Sequence, residues 1–346
     1  MISAELLQIV RCPACRDEGH LEATGDALRC TRCGERYPRA AGYLDLAPRG
    51  TAFAHTTHYV AEEEAFAAAL DYRTVGPPLL AAGVRQRVLQ QMLRLGPGDR
   101  VLDCGCGNAK FALWNRGAVA LLVGLDPATL FAAAALEQVD LVQGDARQMP
   151  FAAASFDKAF SIDVFEHLTL PDLEATLDEL YRLLRSGGRL LIYSNTREPA
   201  RLQPVIDLWR RIGRFLRRRR SGPDPDALRK ADHVKAVATY EELQSLVEGH
   251  GFRVAAVRFW NSVVTSFVEH VVLGLLPPPR APAAGAPHPA APAAGAETER
   301  AALRRRAARR GPLYWAAQAL TWWMGWDITL FSKLRSGSYF LLLERP

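Results

Sequence analysis

The chain has 346 residues, of which 49% are hydrophobic and 23% are charged. This is the composition of an ordinary folded protein, and it excludes a disordered or fibrous one. The length allows one full α/β domain with a smaller module beside it, because domains usually contain about 100–200 residues. A formal net charge of +6 favours anionic partners such as RNA or acidic lipid surfaces.

The N-terminus has no basic segment followed by an apolar run and a small-residue cleavage site, so we expect no secretory signal and a cytoplasmic protein. The two longest apolar stretches cover residues 263–276 and 313–326. Both are shorter than the roughly 20 residues that span a bilayer, so we expect no transmembrane anchor. Peripheral contact with the inner face of the membrane stays open.

Four of the six cysteines form two C-x-x-C pairs near the N-terminus, Cys12 with Cys15 and Cys30 with Cys33. In a reducing compartment this spacing predicts a four-thiolate zinc site rather than disulfides. Protein ligands fill all four positions, so we expect a structural metal on which a small ribbon depends to fold. Residues 1–50 are the predicted zinc ribbon, and residues 51–76 are a polar connection.

The ribbon also contains the segments CGERYP at residues 33–38 and GYLDL at residues 42–46. With the cysteine pairs, these segments resemble the small zinc proteins that activate tRNA and translation-factor methyltransferases. They are also similar to the ribbon of ribosomal-RNA guanine methyltransferases, which end with a histidine ligand where this chain has its second cysteine pair. The resemblance leaves three roles open: RNA binding, covering of an active site, and stabilisation of the domain.

The rest of the chain alternates between predicted strands and helices. Apolar residues at helical spacing predict a helix over residues 78–95. Strands are predicted at residues 100–104, 119–125, 139–142, 156–162, 189–193, 252–259 and 338–343, with helices that include 171–184 and 241–250. The alternation predicts a doubly wound α/β fold with a seven-stranded, mostly parallel sheet built from residues 77–260 and 336–346. Residues 261–335 are a predicted insertion with a Pro/Ala-rich linker at 277–296.

A glycine-rich turn follows the first of these strands. Gly105 and Gly107 stand between the strand and a helix, where glycine lets the backbone approach a ligand and the helix N-terminus offers free N–H groups. The turn is not a dinucleotide G-x-G-x-x-G motif, because Lys110 occupies the third glycine position. By itself, the turn is equally compatible with a tight loop that binds nothing.

Carboxylates stand at or next to the ends of the first three strands, at Asp103, Asp126 and Asp145. Ligands of open α/β sheets bind at the carboxyl ends of the strands. A carboxylate after the second strand can accept both hydroxyls of a ribose, and one after the third can accept an adenine amino group. Together, these residues predict a nucleoside-containing cofactor.

Residues 78–195 resemble the class I S-adenosylmethionine-dependent methyltransferases, whose glycine loop reads D-x-G-x-G. The resemblance extends to SFD at residues 155–157, DVFEHL at 163–168 and LRSGGR at 184–189. It implies S-adenosylmethionine as the cofactor, with Asp103 and Gly105 at the methionine part, Gly107 at the nucleoside, Asp126 at the ribose, and Asp145 with Ala146 at the adenine.

Methyl transfer from a sulfonium depends on positioning and needs no covalent nucleophile. His167 is a candidate base for an acceptor that must lose a proton, and a packing histidine is an equally good interpretation. Asp163, Glu166 and His167 also resemble the D/E-x-x-E-H arrangement of ubiquinone-pathway O-methyltransferases. There such residues can hold a divalent cation, so Mg²⁺ is a further cofactor hypothesis.

Two segments outside the cofactor motifs suggest the acceptor. Residues 202–216 form a basic amphipathic helix, which can lie in a membrane interface, contact RNA phosphates, or present a solvated face. The insertion adds an arginine cluster at 304–310 and four tryptophans, at positions 315, 322, 323 and 326, a residue type that favours the boundary between water and lipid. We therefore expect a lipid-like, isoprenoid, quinone or other small hydrophobic acceptor, with peripheral contact to an anionic membrane. The alternatives are rRNA or tRNA methylation through the ribbon, and cofactor binding without catalysis.

Overall fold

The structure is a computed structural model, and it describes residues 2–49, 58–61, 72–216, 233–275 and 310–346. The predicted linker at 277–296 and most of the connection at 51–76 lie outside the described residues. The same holds for the arginine cluster, except for Arg310. The predicted domain boundaries stay predictions.

The strands are β1 (Arg11–Cys12), β2 (Arg16–Thr24), β3 (Ala27–Cys30), β4 (Arg36–Ala40), β5 (Tyr43–Asp45), β6 (Arg100–Cys104), β7 (Leu121–Asp126), β8 (Asp140–Gln143), β9 (Phe156–Ile162), β10 (Leu184–Asn195), β11 (Arg253–Phe259) and β12 (Ser338–Glu344). The helices are α1 (Ala4–Ile9), α2 (His58–Ala61), α3 (Leu80–Leu93), α4 (Lys110–Asn115), α5 (Ala133–Gln138), α6 (Leu170–Leu183), α7 (Gln203–Leu216), α8 (Tyr240–Gly249), α9 (Val263–Ser266), α10 (Pro312–Met324) and α11 (Trp326–Phe331). Short 3₁₀ turns cover Arg116–Ala118, Phe165–His167 and Leu273–Leu275, and a π-helix covers Phe267–Val272.

All the described strands form one mixed sheet in the order β1-β2-β3-β4-β5-β8-β7-β6-β9-β10-β12-β11. The strands from β5 to β10 in this order are parallel, while β12 runs antiparallel to both β10 and β11. The prediction of an α/β fold is confirmed. The sheet has twelve strands rather than the predicted seven, because the strands of the ribbon extend it beyond β8.

The ribbon is joined to the sheet through β5. Leu44 pairs with Val142 of β8, and the backbone N–H of Leu46 donates to the carbonyl of Gln143 at 2.9 Å. Leu44 and Leu46 are fully buried, in the same apolar cluster as Leu125 of β7. The ribbon and the parallel strands therefore share one core, although their sequences read as two separate modules.

Strand β10 begins at Leu184, earlier than the predicted Arg189. The predicted turn at residues 186–188 lies inside the strand, as an irregularity between the pairs Leu184↔Phe156 and Arg189↔Lys158. Gly187 has a positive φ of 76° there, and its N–H donates to the carbonyl of Arg345 at 2.8 Å. Pairing with the C-terminal residues thus keeps this bulged segment in the sheet.

The last helices form a layer against α3. The N–H of Leu80 donates to Thr321 Oγ1 of α10 at 2.6 Å, while the ring of Trp209 in α7 contacts Phe267, which in turn contacts Trp323. Trp323 is therefore half-buried, whereas its neighbour Trp322 is exposed. Within the described part of the chain, the helices are too short or too polar to cross a membrane.

Candidate cofactor and acceptor site

The glycine turn is fixed by its backbone conformation and by close neighbours. Gly105 and Gly107 have φ values of 76° and 54°, which glycine adopts without strain. A Cβ on Gly105 would meet Val164 Cγ2, and one on Gly107 would lie 2.8 Å from Tyr72 Oη. The N–H of Gly105 donates to the carbonyl of Leu125 at 2.8 Å, so the turn is held against the end of β7.

Asp126 lies at the end of β7, as predicted, and is buried. Its Oδ2 accepts from the N–H of Gly107 at 2.7 Å, and its Oδ1 accepts from the N–H of Ala128 at 2.9 Å. The two backbone donors thus orient the carboxylate at the end of β7, next to the glycine turn.

Asp103 is the buried carboxylate at the end of β6. Among the described residues its Oδ2 has no hydrogen-bond partner. Burial, with the negative charge of Asp126, raises the pKa of Asp103 well above its ordinary value. An orphaned buried acceptor of this kind fits a ligand that brings a cationic donor, such as the ammonium group of a methionine moiety.

Asp145 is buried beyond the end of β8, but its carboxylate is already paired. Its Oδ1 accepts from Nε of Arg147 at 2.9 Å, and its Oδ2 accepts from Nη2 at 2.7 Å. Arg147 also donates to Asp172 at 3.0 Å, and the hydrogen bonds to both acids raise the pKa of the guanidinium. Ala146 is half-buried beside the pair. Arg147 was not among the residues predicted from the sequence. An adenine amino group at Asp145 would have to share the carboxylate with this guanidinium.

The turn that follows Asp145 contacts the ribbon. Gln148 Nε2 donates to the carbonyl of Pro13 at 2.5 Å, and the N–H of Arg11 donates to the carbonyl of Pro150 at 2.8 Å. Pro13 lies within the first cysteine pair. The predicted metal site is therefore in direct contact with the segment that positions Asp145.

The sulfur atoms of Cys12, Cys15, Cys30 and Cys33 lie within 4.8 Å of one another. Those of Cys12 and Cys33 are 3.8 Å apart, which is the separation of about 3.8 Å expected of two thiolates at 2.3 Å from a tetrahedral zinc. The N–H groups of Arg32 and Cys33 point at Cys30 Sγ from 3.4 and 3.5 Å. These four side chains fit a structural zinc ion.

Asp163 ends β9 in a left-handed conformation, with φ of 60°. Its carboxylate forms an ion pair with Arg85 of α3. The guanidinium of Arg85 also lies over the rings of Tyr193 and Trp260, 5.2 and 5.9 Å from their centroids. Sequence reasoning missed Arg85, because it comes from a helix that precedes the glycine loop.

Glu166 is buried in the turn after β9. Its Oε2 accepts from Ser194 Oγ at 2.5 Å, and its Oε1 accepts from Asn195 Nδ2 at 3.2 Å. Burial, with the charge of Asp163, raises the pKa of Glu166 to about 7. The side chain is therefore held in one orientation by the end of β10.

The predicted cation ligands do not come together as one group. Ligand atoms of Glu166, His167 and His233 lie within 4.8 Å of one another, and the two imidazole rings are 4.7 Å apart. Among the described residues Asp163 is not part of this cluster. One carboxylate and two imidazoles suit a transition metal better than Mg²⁺, which prefers oxygen ligands. The Mg²⁺ hypothesis stays a prediction, and His233 is a neighbour that the sequence alone did not indicate.

A family model described as a methyltransferase domain matches residues 102–192. The malonyl-[acyl-carrier protein] O-methyltransferase of Serratia marcescens is 33% identical over 146 residues, which is 40% of this chain and 56% of that protein. The demethylmenaquinone methyltransferase of Mycolicibacterium paratuberculosis is 32% identical over 180 residues, which is 51% of this chain and 76% of that protein. A solved structure of phosphoethanolamine N-methyltransferase 2 from Haemonchus contortus with S-adenosyl-L-methionine is 16% identical, with a TM-score of 0.47 over 90% of this chain and 62% of that one.

The α/β fold and the glycine turn with its carboxylates define a methyltransferase domain. The chain belongs to the S-adenosylmethionine-dependent methyltransferases. It spans only about half the length of several curated relatives that it matches.

Proposed function

We propose that this protein transfers a methyl group from S-adenosylmethionine to a small hydrophobic acceptor of the lipid-like, isoprenoid or quinone class. The observation that carries the cofactor half of the proposal is the orphaned carboxylate oxygen of Asp103, next to Asp126 and the glycine turn. The bound cofactor supplies an electrophilic methyl group on its sulfonium. The protein has to bind, orient and exclude water, and no covalent nucleophile is needed.

The residues divide this work between them. Asp126 would accept from the ribose hydroxyls, Asp103 and Gly105 would face the methionine part, and Asp145 with Ala146 would face the adenine. On the acceptor side, His167 is the candidate base for an acceptor hydroxyl. Alternatively, Glu166, His167 and His233 would together hold a divalent cation, and His167 would then be a ligand rather than the base.

The acceptor class is supported by the residues around Arg85 and by one relative. The guanidinium of Arg85 lies over two aromatic rings beside the end of β9, and aromatic side chains at this end of the sheet suit a hydrophobic acceptor. The name of the mycobacterial relative states demethylmenaquinone as its acceptor. RNA is the competing class of acceptor, and transfer of a labelled methyl group in cell extract separates the two classes.

Isothermal titration with S-adenosylmethionine tests the cofactor. Asp126→Asn should weaken binding at least about tenfold, because it loses a charge-assisted acceptor, while the exposed Asp178→Asn should bind normally. Absence of binding by the wild type at millimolar cofactor would refute the proposal. Transfer of a labelled methyl group in cell extract then identifies the product. Label in the lipid fraction supports the acceptor class, label in RNA overturns it, and binding without transfer indicates a non-catalytic protein.

A further inference from the structure

One side of α10 and α11 is exposed and apolar. We call it the tryptophan face, formed by Trp315, Trp322, Trp326 and Leu330. The three tryptophans are 59%, 58% and 41% exposed, in the order of their numbers. Their spacing places them on the same side of the helical segment, and the rings of Trp322 and Trp326 are 5.3 Å apart.

This side differs from an ordinary solvated helix surface. Residues 311–326 contain no Asp, Glu, Lys or Arg, whereas the outward side of a surface helix is normally polar. The opposite side of α10 is fixed, because Thr321 and Met324 are buried and Thr321 accepts from the N–H of Leu80. Contiguous exposed apolar area of this kind marks an interaction surface.

Helix α7 adds a second apolar stripe with positive charge beside it. Val205, Leu208 and Phe215 are exposed at helical spacing. Arg211 and Arg214 are exposed on the same helix. The ring contacts from α7 to α10 through Phe267, at 5.0 and 5.5 Å, hold the two helices in one layer.

The charges on α7, α10 and α11 indicate which kind of partner this surface binds. Helices α7, α10 and α11 contain two acidic residues, of which Asp327 is buried and Asp207 lies 3.4 Å from Arg210. Arg211 and Arg214 therefore face solvent beside apolar side chains without a nearby acid from these helices. Exposed tryptophans and arginines in one helical layer match the headgroup boundary of an anionic bilayer. A nucleic acid would require base stacking along a basic groove, and residues 311–326 carry no charge to form one.

We propose that α7, α10 and α11 form a membrane-contact surface that seats the protein on anionic phospholipid. The three tryptophans of the face insert at the acyl boundary, and Arg211 and Arg214 meet lipid phosphates. The helices lie in the interface and do not cross it, as their lengths require. The ring of Trp260 lies under the guanidinium of Arg85, and its Nε1 donates to the buried Asp327 of α11 at 3.4 Å. The proposed acceptor side is therefore in contact with this helical layer. The link to an acceptor delivered from the membrane rests on the proposed function, whereas the surface itself does not.

Flotation with vesicles tests the surface directly. The full chain should float with vesicles of phosphatidylcholine and phosphatidylglycerol, and more weakly with phosphatidylcholine alone. The triple variant Trp315→Ala, Trp322→Ala, Trp326→Ala should lose at least about tenfold in partitioning. Its melting temperature and its cofactor affinity should stay close to the wild type, because the replaced side chains are exposed. Leu170→Ala, an exposed apolar residue on α6, is the control and should float normally.

Arg211→Glu with Arg214→Glu tests the charge. It should abolish the preference for anionic over neutral vesicles while the tryptophans still support weak binding. The proposal is overturned if the full chain stays at the bottom of the gradient, or if the triple variant floats like the wild type. A concentration-dependent dimer that the triple variant abolishes would also overturn it, because the face would then bind a second copy. A chain that floats but binds no S-adenosylmethionine keeps the surface and refutes the proposed function.

Discussion

The two halves of the sheet edge are assembled differently. In the cofactor half, at the ends of β6, β7 and β8, the contacts join Gly105, Gly107 and Asp126 within consecutive strand–loop units. In the acceptor half, at the ends of β9 and β10, Glu166 and Asp163 are held by residues from distant segments. The proposed cofactor site is thus built from local motifs, while the proposed acceptor site depends on the tertiary fold.

The two halves also differ in how well their buried polar atoms are satisfied. Asp103 in the cofactor half keeps a buried oxygen without a partner among the described residues. Both carboxylate oxygens of Glu166, in the acceptor half, accept from β10. Because an unsatisfied buried acceptor is costly, the Asp103 carboxylate gains more from a ligand than the Glu166 carboxylate does.

The largest expected effect concerns the predicted zinc of the ribbon, which contacts the cofactor half. Cys30→Ser should reduce zinc from close to one ion per chain to a small fraction, measured by elemental analysis. Structural zinc contributes on the order of 10 kcal/mol to folding of a small ribbon. Since the ribbon shares its sheet and core with the parallel strands, we expect the whole chain to melt at lower temperature and cofactor affinity to fall.

The control for that experiment is Arg32→Ala, which removes only an exposed ion pair with Glu18. It should keep both zinc and stability, because such pairs contribute little. Full zinc in Cys30→Ser would place the metal elsewhere. A ribbon that melts separately, with cofactor affinity unchanged, would show that the cofactor half does not depend on it.

Sequence reasoning succeeded where the signal was local. The ends of β6, β7 and β9 and the positions of Asp103 and Asp126 followed from short apolar runs and glycine spacing. The pairing of β5 with β8 could not be predicted, because nothing in either strand specifies its neighbour. Arg85 and His233 were missed for the same reason, since contacts between distant segments leave no periodic pattern. Trp323 was grouped with the other three tryptophans as a residue of the water–lipid boundary. Its contact with Phe267 depends on how the helices pack, which the sequence does not specify.

The next effect concerns the stability of the helical layer that adjoins the acceptor half. Asp327 is buried and accepts from the N–H groups of Val264 and Thr265, both at 2.8 Å. Asp327→Ala leaves these donors unpaired and should lower the free energy of unfolding by about 2–4 kcal/mol in urea titrations. Asp327→Asn, which keeps one acceptor oxygen, should lower the free energy of unfolding by less. Cofactor affinity of the folded variants should not change, and a large loss there would mean that the two halves are coupled.

A smaller, pH-dependent effect belongs to the cofactor half. Burial and the charge of Asp126 raise the pKa of Asp103, so at pH values below that pKa the free protein holds a proton which a bound ammonium group displaces. Binding therefore releases a proton, and affinity for S-adenosylmethionine should rise with pH, by at most about tenfold per pH unit below that pKa. Titrations in buffers of different ionisation enthalpy measure the released proton. Asp103→Asn should bind weakly with a flat pH profile, and a wild type with an equally flat profile would contradict the role of Asp103.

The smallest effect distinguishes the halves by kinetics. Arg85→Lys keeps the positive charge beside Asp163 but loses the planar group over Tyr193 and Trp260. The two cation–π contacts, about 0.5–1 kcal/mol each, orient the two rings on the proposed acceptor side, so their loss should raise KM for the acceptor by up to roughly fivefold, with kcat nearly unchanged. The dissociation constant of S-adenosylmethionine should stay the same, as it should in the exposed control Arg116→Lys. If the variant instead weakens the binding of cofactor and acceptor equally, Arg85 acts on both halves. The separation between local cofactor motifs and a tertiary acceptor site then does not hold at α3.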